Sequence, residues 1–103
     1  MRTMISFSIP IDEGNDAIRN GSMGSILQGY LDQVKPEAAY FTTNDDGCRS
    51  GIIIVDMKEP ADMVRLAEPL FLNLNAQVTF RPVMTPADVM AGAGSMQAAR
   101  ARN

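Results

Sequence analysis

Six polar side chains in this sequence are of the types that bind small molecules, and the predicted strands place them on one surface. An arginine offers a charged, planar fork that suits a carboxylate, and a tyrosine offers a hydroxyl group on an apolar ring. Serine and threonine hydroxyls add weaker bonds that orient a ligand. The candidate ligand-binding residues are Tyr40, Thr42, Arg49, Arg81, Ser6 and Ser8. The competing interpretation, which residue types alone favour, is that they contact a second copy of the chain or form ion pairs across that contact.

Other chemistries lack the residues that they require. The chain has no histidine, so its one cysteine, Cys48, has no histidine base beside it and is interpreted as a bystander thiol. The acidic groups are interpreted as solvated turns, not as a metal site: Asp12-Glu13 with Asp16, and Asp45-Asp46. Helix caps, helix ends and turn bonds account for five further polar residues: Asn15, Lys35, Glu37, Glu68 and Asn75. We therefore expect neither a metal nor an organic cofactor.

Composition indicates one small globular domain. The chain has 103 residues, 46% of them hydrophobic and 20% charged, and no apolar run approaches the roughly 20 residues of a membrane span. Residues 1–91 carry seven basic and twelve acidic residues, a net charge of −5, which argues against a nucleic-acid partner. The N-terminal stretch has no leader-like apolar core, and the single cysteine excludes an internal disulfide, so we expect a cytoplasmic protein.

Alternation and helical spacing define the first half of the chain. Ile5, Phe7, Ile9 and Ile11 alternate with polar residues or proline and predict the first strand. Residues 12–20 are rich in turn formers and leave room for a helical turn around Ala17 and Ile18. One apolar stripe then predicts a helix that Ser22 caps and Lys35-Pro36 ends: Met23, Ile26, Leu27, Tyr30, Leu31 and Val34.

A hairpin follows, with strands at residues 38–43 and 52–57. A two-residue turn at Asp46-Gly47 would place Thr43 opposite Ser50 and Phe41 opposite Ile52. In that register one face carries Ala39, Phe41, Ile52 and Ile54 as core, and the other carries Tyr40, Thr42, Asn44, Arg49, Ile53 and Val55. The second face, mixed in character, is the one that suggests a partner.

The second half repeats the helix and the strand. After Pro60 an apolar stripe runs from Met63 to Leu74, and Pro69 inside it predicts a kink or a break. Residues 77–83 form the fourth strand, with Val78 and Phe80 on one face, and Thr85-Pro86-Ala87-Asp88 opens a short helix. The order βαββαβ predicts an α+β, ferredoxin-like domain over residues 1–91, with a four-stranded antiparallel sheet and both helices on one face. Residues 92–103 are predicted to be a flexible tail rich in Ala, Gly and Arg.

Several short stretches resemble a family of short uncharacterised bacterial proteins. The likeness covers about residues 3 to 91 and rests on Gly14-Asn15-Asp16-Ala17-Ile18, Lys35-Pro36-Glu37-Ala38-Ala39-Tyr40-Phe41, Ala67-Glu68-Pro69-Leu70-Phe71 and Leu74-Asn75-Ala76. More broadly the layout is similar to the dimeric α/β-barrel superfamily, in which two ferredoxin-like sheets pack face to face around a cavity. That superfamily includes cofactor-free monooxygenases, isomerases of ring compounds and haem-binding enzymes. The lack of histidine argues against haem chemistry here.

Three functional hypotheses follow. The first is a homodimer that binds a small metabolite, carboxylate-bearing or aromatic, between its two sheets. The second is a cofactor-independent oxygenase or isomerase of a small ring compound, in which Tyr40 is the acid or base and Arg49 or Arg81 stabilises an anion. The third is a purely structural interaction module that uses the same face in a closed, dry interface.

Overall fold

The computed structural model describes residues 1–102, which form a four-stranded antiparallel sheet and four helices. The strands are β1 (Arg2–Ile9), β2 (Ala38–Thr43), β3 (Arg49–Asp56) and β4 (Gln77–Pro82). The helices are α1 (Ile11–Arg19), α2 (Met23–Val34), α3 (Asp62–Leu74) and α4 (Pro86–Arg102). The strand order β2-β3-β1-β4 is that of two interleaved βαβ units, which confirms the predicted ferredoxin-like fold.

The first connection contains two helices where the sequence predicted one helix and a turn. Pro10 fixes φ at −55° and leads directly into α1, so Ile11 belongs to a helix and its assignment to the first strand was wrong. Acidic residues in the first turn, Asp12 and Glu13, and Arg19 in the last turn complement the helix dipole. This charge pattern outweighs the turn preference of the residues between them.

The helix ends fall largely where the sequence predicted them. α2 begins at Met23 and ends at Val34, and Lys35 and Asn75 take left-handed conformations just after α2 and α3, with φ of 50° and 51°. Ser22 holds the N-cap position of α2, but its side chain makes no capping hydrogen bond. α3 continues through Pro69 to Leu74, so of the two predicted outcomes, a kink or a break, the break does not occur.

The β2–β3 hairpin has a different register from the predicted one. Its loop contains three residues, Asp45-Asp46-Gly47, because the Gly47 amide bonds the Asn44 carbonyl (2.9 Å) and Gly47 adopts a φ of 76°. Thr43 therefore pairs with Arg49 and Phe41 with Gly51. A one-residue shift moves every β3 side chain to the opposite face of the sheet.

The core lies between the sheet and helices α1 to α3. Ile53 and Val55, which the sequence analysis put on the mixed face, are buried in it, and Ile52 and Ile54 leave it. Ala39 and Phe41 lie on the helix-covered face as predicted, as do Val78 and Phe80. The side chains with 0% or 1% exposure are Ile5, Ile53, Leu66, Leu70 and Leu74.

Tyr30 ties α2 to α3 inside this core. Its hydroxyl donates a 2.7 Å hydrogen bond to the carbonyl of Leu66, and the residue is 4% exposed. Burial raises the pKa of the Tyr30 phenol to about 12, because the phenolate would lose its water. Neutral Tyr30 therefore contributes its full stabilisation below pH 10.0, the pKa of the phenol in the unfolded chain. This stabilisation is lost as the pH rises through about 12, the pKa in the folded protein.

We expect the stability advantage of the wild type over Tyr30→Phe to shrink between pH 10 and pH 12. Urea unfolding of both proteins across this range measures the difference in stability. The control is Tyr40→Phe, at the exposed second tyrosine, which should lose stability at alkaline pH as the wild type does. In Tyr40→Phe, ultraviolet absorbance also reports the ionisation of Tyr30 alone. A constant difference between wild type and Tyr30→Phe up to pH 12 would contradict the assignment.

α4 leaves the domain. Thr85 and Asp88 form the predicted capping box, in which each side chain accepts a hydrogen bond from the backbone amide of the other (3.2 and 2.9 Å). The helix then runs to Arg102, well beyond the short helix and the Gly92 limit predicted from the sequence, and Pro86 to Ala101 are all exposed. The radius of gyration is 17.3 Å, against about 13 Å for a compact chain of this length.

Candidate functional site

The sheet has one face that none of the helices within residues 1–102 covers, and we call it the open face. Its residues project from alternate positions of the four strands, and none is buried. They are Arg2, Met4, Ser6 and Ser8 from β1; Ala38, Tyr40 and Thr42 from β2; Ser50, Ile52, Ile54 and Asp56 from β3; and Gln77, Thr79 and Arg81 from β4.

The strand registers arrange most of these side chains in three rows that cross the sheet, and the rows change in character. The first row is polar: Thr42, Ser50, Ser8 and Gln77. The second is mixed: Tyr40, Ile52, Ser6 and Thr79. The third is apolar except at its end: Ala38, Ile54, Met4 and Arg81. The open face therefore grades from a hydroxyl-rich row to an aliphatic row that ends in Arg81, and the charged pair Arg2 and Asp56 lies beyond the aliphatic row.

Five of the six predicted ligand-binding residues share this face. Tyr40, Ser6 and Arg81 lie in the mixed and apolar rows, and Thr42 and Ser8 lie in the polar row. Tyr40 stands on one edge strand and Arg81 on the other, three strand spacings and one row apart, which is about 16 Å at the backbone. A ligand that touches both must lie over the middle strands, above Ile52 and Ser6.

Arg49 is not part of the open face, and the sequence-based placement of this residue was wrong. The hairpin register turns Arg49 to the helix-covered side, where its Nη1 donates a 3.1 Å hydrogen bond to Oδ1 of Asn15 in α1. A methyl group on Gly14 would lie 2.6 Å from the same Nη1. Arg49 therefore binds α1 to the end of the sheet, and the pair Gly14-Asn15 makes room for its guanidinium group and accepts from it.

Tyr40 is more exposed than the other large hydrophobic side chains on the open face, Met4, Ile52 and Ile54. It is 66% exposed, beside Ile52 on the neighbouring strand, and Ile52 in turn stands beside Ser6. The Thr79 hydroxyl donates a weak hydrogen bond (3.4 Å) to the backbone carbonyl of Ser6 and does not bond the Ser6 hydroxyl. The middle of the open face thus combines an aromatic ring, an aliphatic side chain and small hydroxyl groups.

A cavity of about 630 Å³, which the sequence analysis missed, lies at the end of the sheet from which α4 departs. Its charged lining residues are Arg2, Glu37, Asp56 and Asp88. Arg2 holds Glu37 through two hydrogen bonds (2.9 and 2.7 Å), which lower the pKa of Glu37. A hydrogen bond from Lys58 is the main cause that lowers the pKa of Asp56 to about 2, so both carboxylates stay charged. None of the predicted ligand-binding residues lines this cavity.

The remaining polar groups behave as structural elements. The Asn44 side chain accepts from the amides of Asp46 (3.1 Å) and Cys48 (2.9 Å), so the acidic hairpin loop is the turn predicted from the sequence. Asn75 donates to Glu13 (3.0 Å). Among residues 1–102 there is no cluster of three or more histidine, cysteine or acidic residues able to hold a metal ion. Within the same residues no helix is long and apolar enough to cross a membrane.

Comparison with known proteins supports the fold. The sequence matches no protein family and no curated relative. Among solved structures it is similar to 5-chloro-2-hydroxyhydroquinone dehydrochlorinase (TftG) from Burkholderia phenoliruptrix AC1100, determined as a complex with 2,5-dihydroxybenzoquinone. The TM-score is 0.62, the sequences are 15% identical, and the match covers 84% of this chain and 97% of that one. The similarity establishes a shared ferredoxin-like fold; the resemblance to a family of short bacterial proteins stays a prediction.

Proposed function

We propose that this protein is a homodimer whose two open faces pack against each other, as a dimeric α/β barrel, and bind a small molecule between them. The observation that best supports this proposal is the composition of the open face. Ile52, Ile54 and Met4 are too apolar for a surface that stays in water, while Tyr40 and Arg81 at the two edges are too polar for a dry core. A wet cavity between two such faces satisfies both sets of side chains. The cytoplasmic location predicted from Cys48 belongs to this proposal.

The ligand class follows from the functional groups. Arg81 supplies a fork for a carboxylate or an enolate oxygen, and Tyr40 supplies a ring edge and one hydroxyl group. Ser6, Ser8 and Thr42 add hydroxyl groups in the adjacent rows, and Ile52 forms an apolar floor. A small anionic or hydroxylated ring satisfies all of these groups at once. That the structural neighbour was solved with a dihydroxybenzoquinone agrees with this class.

We expect Arg81→Ala to weaken binding of 2,5-dihydroxybenzoquinone, used as the probe, without changing the fold. Loss of a charged hydrogen bond in a partly enclosed site corresponds to about 1.5–3 kcal/mol, a fall of about ten- to a hundredfold in affinity. Isothermal titration calorimetry measures the affinity, and circular dichroism confirms folding.

The matched control is Arg19→Ala, which removes an exposed arginine of α1 far from the open face and should bind as the wild type does. Equal probe affinity in Arg81→Ala and in the wild type would remove Arg81 from the site. No binding by the wild type would exclude a ring of this type.

A cofactor-independent enzyme acting on a ring compound is the second candidate, and the accessible phenol of Tyr40 is the observation that favours it. The two candidates differ in whether the bound ring is converted. The ultraviolet and visible spectrum of the quinone, recorded during the same titration, distinguishes them. A stable spectrum with saturable binding supports a binding protein, and a time-dependent spectral change that requires the protein supports an enzyme.

A further inference from the structure

α4 has no packing partner within the described part of its own chain. The protomer measures 62 Å along its longest axis and only 28 and 19 Å along the others, because α4 extends away from the sheet. Three apolar side chains of the helix stand in water, with exposures of 46% at Val89, 71% at Met90 and 65% at Met96.

A helix of this composition is not expected to persist without a packing partner. Gly92 and Gly94 lie in its interior, and each costs about 1 kcal/mol of helix stability relative to alanine. In proteins most of the stability of a helix comes from packing against other elements and not from its own helix propensity. Val89, Ala93 and Met96, at positions i, i+4 and i+7, fall on one side of the helix and form what we call the α4 stripe. The α4 stripe is the surface most suited to contact another molecule.

The area of the open face indicates that the partner of α4 is a second copy of this chain. Four strands of about six residues present about 400 Å² in projection, roughly half of the 800 Å² or so that each partner buries in a stable dimer. A helix of 17 residues is about 25 Å long and about 10 Å wide, so its side presents about 250 Å². In a two-fold dimer each protomer would both lay its own α4 on its partner and receive the partner's α4. The two helices would thus add about 500 Å² of projected contact to the roughly 400 Å² of the open face.

We infer that α4 is an interaction arm whose stripe packs against a second copy of this chain and completes the homodimer. The inference rests on the proposed dimer and adds the element that stabilises it. Charge agrees with it, because α4 has one acidic residue, Asp88, and two arginines, Arg100 and Arg102, a net charge of +1, while residues 1–85 carry seven basic and eleven acidic residues, a net charge of −4. Exposed on a single protomer, the α4 stripe becomes an apolar contact in the dimer.

The test uses the full-length double variant Val89→Glu/Met96→Glu. Both side chains are exposed in the protomer, so the domain should fold normally. We expect the dimer dissociation constant, measured by sedimentation, to rise at least tenfold. Ala91→Glu/Ala98→Glu introduces the same charges at the same spacing on the opposite side of α4, and it should leave the dissociation constant within about twofold of the wild type. A loss of dimer affinity in Ala91→Glu/Ala98→Glu but not in Val89→Glu/Met96→Glu would overturn the assignment of the α4 stripe as the contact surface.

Hydrogen exchange separates failure of the arm from failure of the dimer. Amides of α4 should exchange more slowly in wild-type dimer than in a monomer produced by Ile52→Asp. A wild-type dimer whose α4 amides exchange as fast as those of that monomer, and whose affinity is unchanged in Val89→Glu/Met96→Glu, would overturn the arm while leaving the proposed function intact. Slow exchange of α4 in the monomer would likewise overturn it, because the helix would then be folded back on its own domain. A wild type that is monomeric at all concentrations would overturn both.

Discussion

Replacing Ile52 by aspartate is expected to convert the protein from a dimer to a monomer. Ile52 occupies the centre of the open face, between Tyr40 and Ser6, and in the proposed dimer it faces the sheet of the second copy. Two carboxylates, one from each protomer, would enter the small space between the sheets, where each loses part of its hydration and has no cation among its immediate neighbours on its own sheet. We expect a loss of at least about 3 kcal/mol, more than a hundredfold in the dissociation constant.

Sedimentation velocity over a range of concentrations measures this effect, and thermal unfolding shows whether the monomer is folded. Ile11→Asp is the matched control, because it makes the same substitution at a half-exposed residue in the first turn of α1, where the helix dipole favours an acid. It should dimerise as the wild type does. Persistence of the dimer in Ile52→Asp would show that the two copies associate through another surface.

The Gly51→Ala substitution is expected to destabilise the protein by about 1–3 kcal/mol, the usual range for overpacking a filled core. A Cβ atom at this position would lie 2.5 Å from Cζ of Phe7 and 3.2 Å from Phe41. These two rings, with centroids 6.4 Å apart, meet edge to face over the glycine. Phe7 is 3% exposed and has no space into which it can move.

Two other glycines show what the same substitution does elsewhere. Gly29, in the exposed interior of α2, has no atom within 4 Å of the position that a Cβ would occupy, so Gly29→Ala should stabilise the protein by about 1 kcal/mol. At Gly14 the obstacle is the flexible end of Arg49, which can shift at smaller cost. Urea unfolding of the three variants should therefore rank Gly29→Ala above Gly14→Ala and Gly51→Ala last. A neutral Gly51→Ala would mean that the Phe7 ring is free to move.

Sequence patterns predicted the parts of this fold that depend on local chemistry. The apolar stripe of α2 and the Lys35-Pro36 stop gave its two ends, and Thr85 with Asp88 gave the start of α4. Residues 38–43 were predicted as a strand and form β2 with those bounds. Helical periodicity and capping act over a few residues, so a single sequence contains the information needed to place them.

The hairpin register was not predictable in the same way, because it depends on a choice between two turns of similar cost. Asp46-Gly47 suits a two-residue turn, but Gly47 also suits the left-handed position that ends a three-residue loop. The second arrangement lets the Asn44 side chain bond two loop amides, and it buries Ile53 and Val55. The error moved Arg49 into the candidate site and kept Ile52 and Ile54 out of it. Five of the six proposed residues kept their face because β1, β2 and β4 were oriented correctly.

β2 forms one edge of the sheet, and this has a consequence for the solubility of the isolated protomer. The strand, Ala38–Thr43, contains neither a charged residue nor a proline, and Tyr40 and Phe41 are 66% and 51% exposed. Short uncharged segments that are rich in β-forming residues are the ones from which amyloid-like growth starts, and proteins usually protect such edges with charge, proline or a covering element. A dimer that covers β2 would protect the chain from aggregation. Association would then serve colloidal stability as well as ligand binding.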